Sequence, residues 1–101
     1  MTFGEDFGKF LTKVDCVRIV DILLNENNVQ LSEIAKIIGI SRGAIYHWIW
    51  EMVKDIDDEN KVKLLDLFYE KDKVRAISFI EDLLYEYMEF LNKEKRRVTG
   101  Y

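Results

Sequence analysis

Residues 31–48 read LSEIAKIIGISRGAIYHW, and this stretch decides the fold of the chain. Its apolar residues lie three and four positions apart, which predicts two short helices that each bury one face. Ala35 is small enough for the two helices to approach closely, and Gly39 permits the left-handed backbone that ends the first helix. Ser41 is expected to cap the second helix by accepting a hydrogen bond from the amide of Ala44. The stretch therefore predicts two helices that cross steeply about a tight turn and pack through Ile34, Ile38, Ile45 and Trp48.

This stretch resembles the helix-turn-helix of bacterial and archaeal transcription regulators. Its second helix is especially similar to that of the tetracycline-repressor family, which favours glycine, any residue, isoleucine or leucine, then tyrosine, followed by an aromatic residue; here Gly43, Ile45, Tyr46 and Trp48 occupy these positions. The resemblance implies a DNA-binding protein whose second motif helix enters the major groove. That family also has a longer connection before the motif and a large helical ligand domain. This chain departs from both features, so the resemblance does not imply induction by a small molecule.

Length and composition predict a single all-α domain over residues 1–101. Hydrophobic residues make up 49% of the chain and charged residues 34%, which is typical of a globular protein. The chain has no proline, and no strand-like alternation bounded by turn residues appears, so helices are favoured and a β-hairpin wing is not. We expect a small bundle of five to six helices. The central helix-turn-helix core lies within residues 13–54, and the helices after it lie within residues 58–97.

The charge of the chain is unevenly distributed. The formal net charge is −4, which does not favour strong non-specific binding to nucleic acid. Residues 31–54 nevertheless hold two acids and three bases, so of the three segments 1–30, 31–54 and 55–101 only the one with the motif is positive. Helix amide termini and a few bases are enough to position a protein on DNA, so the acidic total is compatible with site-specific binding.

The side chains expected to contact DNA lie on both motif helices. Placing Ile45 and Trp48 inward leaves the first turns of the second helix facing outward. Arg42 is the best candidate for a base contact, since its guanidinium matches the two acceptors of guanine, although a phosphate contact is an alternative. Ser32 is expected to cap the first helix and, like Lys36, to lie near phosphates. The predicted DNA-binding residues are Ser32, Lys36, Ser41, Arg42, Gly43, Tyr46 and His47, with Trp50, Lys54 and residues 93–97 as further possibilities.

The carboxy-terminal segment predicts a long helix over residues 72–97. Its apolar residues alternate in spacings of three and four, which is the period of a coiled-coil seam. A helix of this length, ~35–40 Å at 1.5 Å per residue, exceeds what a core of this size covers. We therefore expect part of the helix to pair with a second copy, and the alternative is packing across its own bundle. The predicted dimerisation residues are Ile77, Ile80, Leu84, Tyr87 and Leu91.

The sequence contains few of the residues that other functional classes require. One histidine, one cysteine and no glycine-rich phosphate loop argue against an enzyme, a metal centre or a cofactor site. The acids of residues 55–60 resemble a calcium loop but lack its glycine and final glutamate, so a capping and hinge segment is favoured. Cys16 is expected to be a buried thiol in a reducing cytoplasm. No apolar run is long enough for a membrane span, and no small-molecule ligand is evident.

The leading functional prediction is a sequence-specific protein that binds double-stranded DNA as a homodimer. It is expected to act as a transcriptional regulator, most simply a repressor, that reads a palindromic site. An accessory DNA-binding protein of plasmid partition or recombination is a related alternative. The alternative from a different class is a helical adaptor that binds other proteins.

Overall fold

The computed structural model describes residues 1–50 and 56–100, with only the backbone described at residues 48–50. Six α-helices and a single 3₁₀ turn lie within this part of the chain, which contains no strand. The prediction of an all-α bundle of five to six helices is confirmed. The elements are α1 (Phe3–Phe7), the 3₁₀ turn (Gly8–Phe10), α2 (Lys13–Asn25), α3 (Leu31–Ile38), α4 (Arg42–Trp50), α5 (Asp58–Lys71) and α6 (Lys73–Thr99).

Helix α5 lies at the centre of the bundle, in contact with α1, α2, α3, α6 and the 3₁₀ turn. Asp57 begins it by accepting a hydrogen bond from the amide of Asn60 at 2.8 Å, so the end of the acidic segment is a helix cap. Phe68 is completely buried and meets Phe79 of α6 edge-on, with ring centroids 5.9 Å apart. The other buried side chains of α5 are Leu64, Leu65 and Leu67.

The amino-terminal segment is bound to the outside of α5. Phe3 stacks on Tyr69 with ring centroids 4.7 Å apart. Asp66 accepts hydrogen bonds from the backbone amide of Gly4 at 2.6 Å and from the hydroxyl of Thr2 at 2.9 Å. A Cβ atom on Gly4 would lie 2.2 Å from the backbone oxygen of Val62, so glycine is required by the close approach of the two helices. The amino-terminal segment is therefore an integral part of the bundle.

The Gly4→Ala variant should lose stability because this contact allows no Cβ atom. We expect a loss of about 1–3 kcal/mol in the free energy of unfolding, the usual range for overpacking. Urea unfolding followed by circular dichroism measures it. Gly43→Ala is the matched control, because a Cβ there would meet only the Ser41 hydroxyl at 3.9 Å. Equal stability of the two variants would contradict the described packing of α1 on α5.

Helix α2 begins with a reciprocal cap. The Thr12 hydroxyl accepts from the amide of Asp15, and the Asp15 carboxylate accepts from the amide of Thr12. Cys16 follows, and its side chain is completely buried. Burial raises the pKa of the Cys16 thiol to about 12. The thiol is therefore protonated at neutral pH and inaccessible, as the sequence predicted.

Helix α6 leaves the bundle halfway along its length. Asp72 begins it by accepting from the amide of Arg75 at 3.1 Å and from the side-chain amide of Asn27 at 3.1 Å. These hydrogen bonds lower the pKa of Asp72. The buried side chains of the helix end at Leu83, and every residue from 84 to 100 is exposed. The radius of gyration is accordingly 15.2 Å, whereas a compact domain of this size has about 13 Å.

One of the predicted dimerisation residues belongs to the core instead. Ile80 is only 6% exposed, because it lies on the part of α6 that packs against its own bundle. Its assignment to a surface between two copies was wrong. The remaining four predicted residues are exposed, at fractions from 45% to 61%: Ile77, Leu84, Tyr87 and Leu91.

Candidate nucleic-acid interface

The turn between α3 and α4 has the geometry that the sequence predicted. Gly39 ends α3 with φ of 74°, in the left-handed region that favours glycine. The amides of Gly39 and Ile40 both donate to the backbone oxygen of Ala35, which closes the last turn of the helix. Ile34, Ala35 and Ile38 are buried and form the inner face of α3. The angle at which the chain enters α4 is therefore fixed by hydrogen bonds and by packing.

Helix α3 begins two residues earlier than the Ser32 cap predicted. Its first residue is Leu31, and Gln30 stands at the cap position without a side-chain hydrogen bond to the helix. Leu31 packs against the core, so an earlier start places it on the same face as Ile34. Ser32 is consequently an exposed residue of the first turn rather than the cap.

Helix α4 begins at a capped amino terminus. The Ser41 hydroxyl accepts from the amide of Ala44 at 3.0 Å, and the Ser41 carbonyl accepts from the amide of Ile45 at 3.1 Å. The predicted cap is therefore confirmed. Ile45 is completely buried, and it fixes the rotation of α4 about its own axis. Since neighbouring positions of a helix point in different directions, the residues around Ile45 are turned outward.

The outward face of α4 contains the residues predicted to contact DNA. Tyr46 is 54% exposed, and Ser41, Arg42, Gly43 and His47 are exposed as well. The space above Gly43 is open, as a Cβ atom there would meet only the Ser41 hydroxyl. Packing against the described residues therefore does not require glycine at this position. The side chains of Trp48 and Trp50 and all of Lys54 lie outside the described residues, so the inward prediction for Trp48 stays a prediction.

The electrostatics of this face depend on an ion pair that the sequence did not indicate. Glu33 is the only acid of α3, and its carboxylate lies 2.9 Å from the ammonium nitrogen of Lys71 at the end of α5. The hydrogen bond to Glu33 raises the pKa of Lys71. Lys36 and Arg42 are exposed, and neither takes part in an ion pair within residues 1–50 and 56–100. With Glu33 neutralised by Lys71, the described surface of α3 and α4 presents positive charge.

The carboxy-terminal basic run considered from the sequence lies elsewhere. The run at residues 93–97 stands near the end of α6, on the part of the helix that extends beyond the bundle. Its Arg97 guanidinium forms an ion pair with Glu94 one turn earlier. This basic run is therefore separate in the fold from the surface of α3 and α4.

Two other kinds of site are absent from the part of the chain that the structure describes. It contains no group of three or more histidine, cysteine, aspartate or glutamate side chains that could hold a metal ion. It also contains no helix that is both long and apolar enough to cross a membrane.

Comparison with known proteins gave no match. A scan against protein-family models and searches of curated proteins and of solved structures all found none that matches this chain.

Proposed function

We propose that this chain binds double-stranded DNA in a sequence-specific manner, with α4 in the major groove and α3 across the backbone. The observation that carries the proposal is the orientation of α4. Ile45 is buried, while Arg42, Gly43, Tyr46 and His47 on the same helix are exposed. A helix that presents its first turns in this way can enter the major groove, which is about 12 Å wide.

The individual side chains fit separate roles at a duplex. Arg42 lies in the first turn of α4, where a guanidinium reaches the O6 and N7 acceptors of guanine. The open space at Gly43 lets the helix backbone approach the bases closely. Tyr46 can donate its hydroxyl to a phosphate or lay its ring on a thymine methyl group, and His47 offers a ring N–H to a phosphate or a base. Ser32 and Lys36, exposed on α3, fit contacts with phosphates.

The proposed biological role is transcriptional regulation by a homodimer, with repression by occlusion of a promoter as the simplest mechanism. Two copies related by a two-fold axis would present their α4 helices about 34 Å apart, one turn of DNA. Such a pair would read a palindromic site. Because the formal net charge of the chain is −4, its specificity should come from base contacts more than from overall charge.

Selection from a pool of random duplexes tests this proposal. The purified chain should enrich a symmetric sequence, and its affinity for that sequence should fall as salt increases, since phosphate contacts release counterions. A pool that shows no enrichment at low or moderate salt would overturn the proposal and favour the helical adaptor.

Replacing Arg42 by alanine should weaken binding to the selected duplex by about 1–3 kcal/mol, the usual value of a bidentate contact with guanine. The melting temperature should hardly change, because the side chain is exposed. Fluorescence anisotropy with a labelled duplex measures the affinity. Lys9→Ala is the matched control, since it removes the same charge from the exposed 3₁₀ turn, which packs on α5. Equal affinities of the two variants would remove Arg42 from the interface.

A further inference from the structure

The distal half of α6 is a helix without a partner in its own chain. Residues 84–99 are all exposed, and at 1.5 Å per residue they extend about 24 Å beyond the bundle. Nearly half of these residues are apolar or aromatic, although all of them are exposed to solvent when the chain is a monomer. The large ones are Leu84, Tyr85, Tyr87, Met88, Phe90, Leu91 and Val98. A contiguous apolar surface of this kind marks an interaction site.

Four of the exposed apolar residues repeat at intervals of seven. Ile77, Leu84, Leu91 and Val98 form a single row along α6. A seven-residue repeat keeps such a row facing a second helix, because two helices that wind about each other have 3.5 residues per turn. Tyr87 and Met88 lie beside the row and widen it to a face. The surface therefore fits another long helix better than a flat or globular partner.

The charges on the same segment favour one relative orientation, antiparallel over parallel, for a second copy of α6. Residues 81–92 contain four acids and no base: Glu81, Asp82, Glu86 and Glu89. Residues 93–97 contain four bases and one acid, Glu94, which is paired with Arg97 of its own chain. Two copies side by side in parallel would place like charges together, whereas an antiparallel pair places the acidic part of each beside the basic part of the other.

We infer that α6 pairs with α6 of a second copy in an antiparallel coiled coil whose two-fold axis passes near residues 88–90. In this arrangement Met88 of one copy lies close to Met88 of the other. Leu84 of one copy lies opposite the region of Lys95 in the other, and Glu81 also faces that basic region. Ile80 stays in the core of its own bundle. The pairing covers the apolar row from Leu84 to Val98 and brings opposite charges together at both ends.

This inference rests on the dimeric form of the proposed function and specifies how the two copies join. It is tested without DNA, so that its failure is distinguishable from a failure of DNA binding. A chain that does not pair in this way can still enrich a sequence from the duplex pool, and a chain that pairs can fail to do so.

Single introduced cysteines test the direction of pairing. Cys16 is completely buried, so the natural chain provides an inert background. A disulfide needs Cα atoms within about 7 Å, and the two copies of residue 84 would stand about 15 Å apart along an antiparallel pair. After mild oxidation, Met88→Cys should give crosslinked dimers on a non-reducing gel. Leu84→Cys alone and Lys95→Cys alone should not, whereas an equal mixture of the two should crosslink between chains.

The alternatives give different patterns in the same experiment. A parallel pair would crosslink Leu84→Cys with itself and would overturn the inference. Val74→Cys is the control for crosslinking by random collision, because Val74 is 80% exposed at the start of α6. If α6 does not pair with a second copy, every sample should crosslink as little as this control, and the inference would be overturned. Sedimentation of the natural chain should show a dimer at micromolar concentration, and a monomer there would also overturn the inference.

Discussion

The Phe68→Ala variant should lose about 3–5 kcal/mol in the free energy of unfolding, the usual range for a buried phenylalanine. Phe68 is completely buried in α5, the helix that contacts most of the other elements, and its ring meets Phe79 of α6. Removing it opens a cavity between these helices. A loss of this size approaches the total stability of a small domain, so the variant should be partly unfolded at room temperature. Urea unfolding followed by circular dichroism measures the change.

Phe10→Ala is the matched control for this substitution. Phe10 is 71% exposed in the 3₁₀ turn, so the same change there removes little buried surface. We expect a loss of less than about 1 kcal/mol. If Phe10→Ala were as destabilising as Phe68→Ala, the assignment of α5 to the centre of the bundle would be wrong.

The Ile34→Ala variant should lose about 2–5 kcal/mol, because Ile34 is completely buried on the inner face of α3. This residue helps to hold α3 in place, and α3 in turn supports the turn that orients α4. The Ile34→Ala variant should therefore bind its selected duplex more weakly even at temperatures where most of the helix content remains. Thermal unfolding and duplex anisotropy on the same sample separate the two effects.

Ile37→Ala tests the same helix at a more exposed position. Ile37 is 39% exposed, so the substitution should cost less than half of the stability lost at Ile34. The residue type, the helix and the substitution are the same in the two variants, and only the burial of the side chain differs. Equal losses at the two positions would contradict the orientation of α3 in the structure.

The sequence predicted the α3–α4 pair well because its determinants are local. The role of Gly39 depends only on its own φ angle, and the cap at Ser41 depends on the amide three residues later. The inward position of Ile45 follows from the helical period. Each of these constraints acts within one turn of chain. The reciprocal cap at Thr12 acts over an equally short distance, although it was not predicted.

The sequence could not predict the features that join distant residues. The pairing of Gly4 with Asp66 spans more than sixty positions, and that of Glu33 with Lys71 almost forty. The point at which α6 leaves the bundle also depends on where the other helices end. For this reason Ile80 and Leu84, which are both aliphatic and one turn apart, differ in burial although their sequence pattern is the same.

The proposed DNA contact is tested most directly by amide chemical shifts of the ¹⁵N-labelled chain as the selected duplex is added. We expect the largest perturbations at residues 41–47, above all at Arg42, Gly43 and Tyr46, with smaller ones at Ser32 and Lys36. The chemical shifts of the amides of α1 and of the 3₁₀ turn, which pack on α5, should not change. A duplex that binds while residues 41–47 remain unperturbed would contradict the proposal that α4 reads DNA.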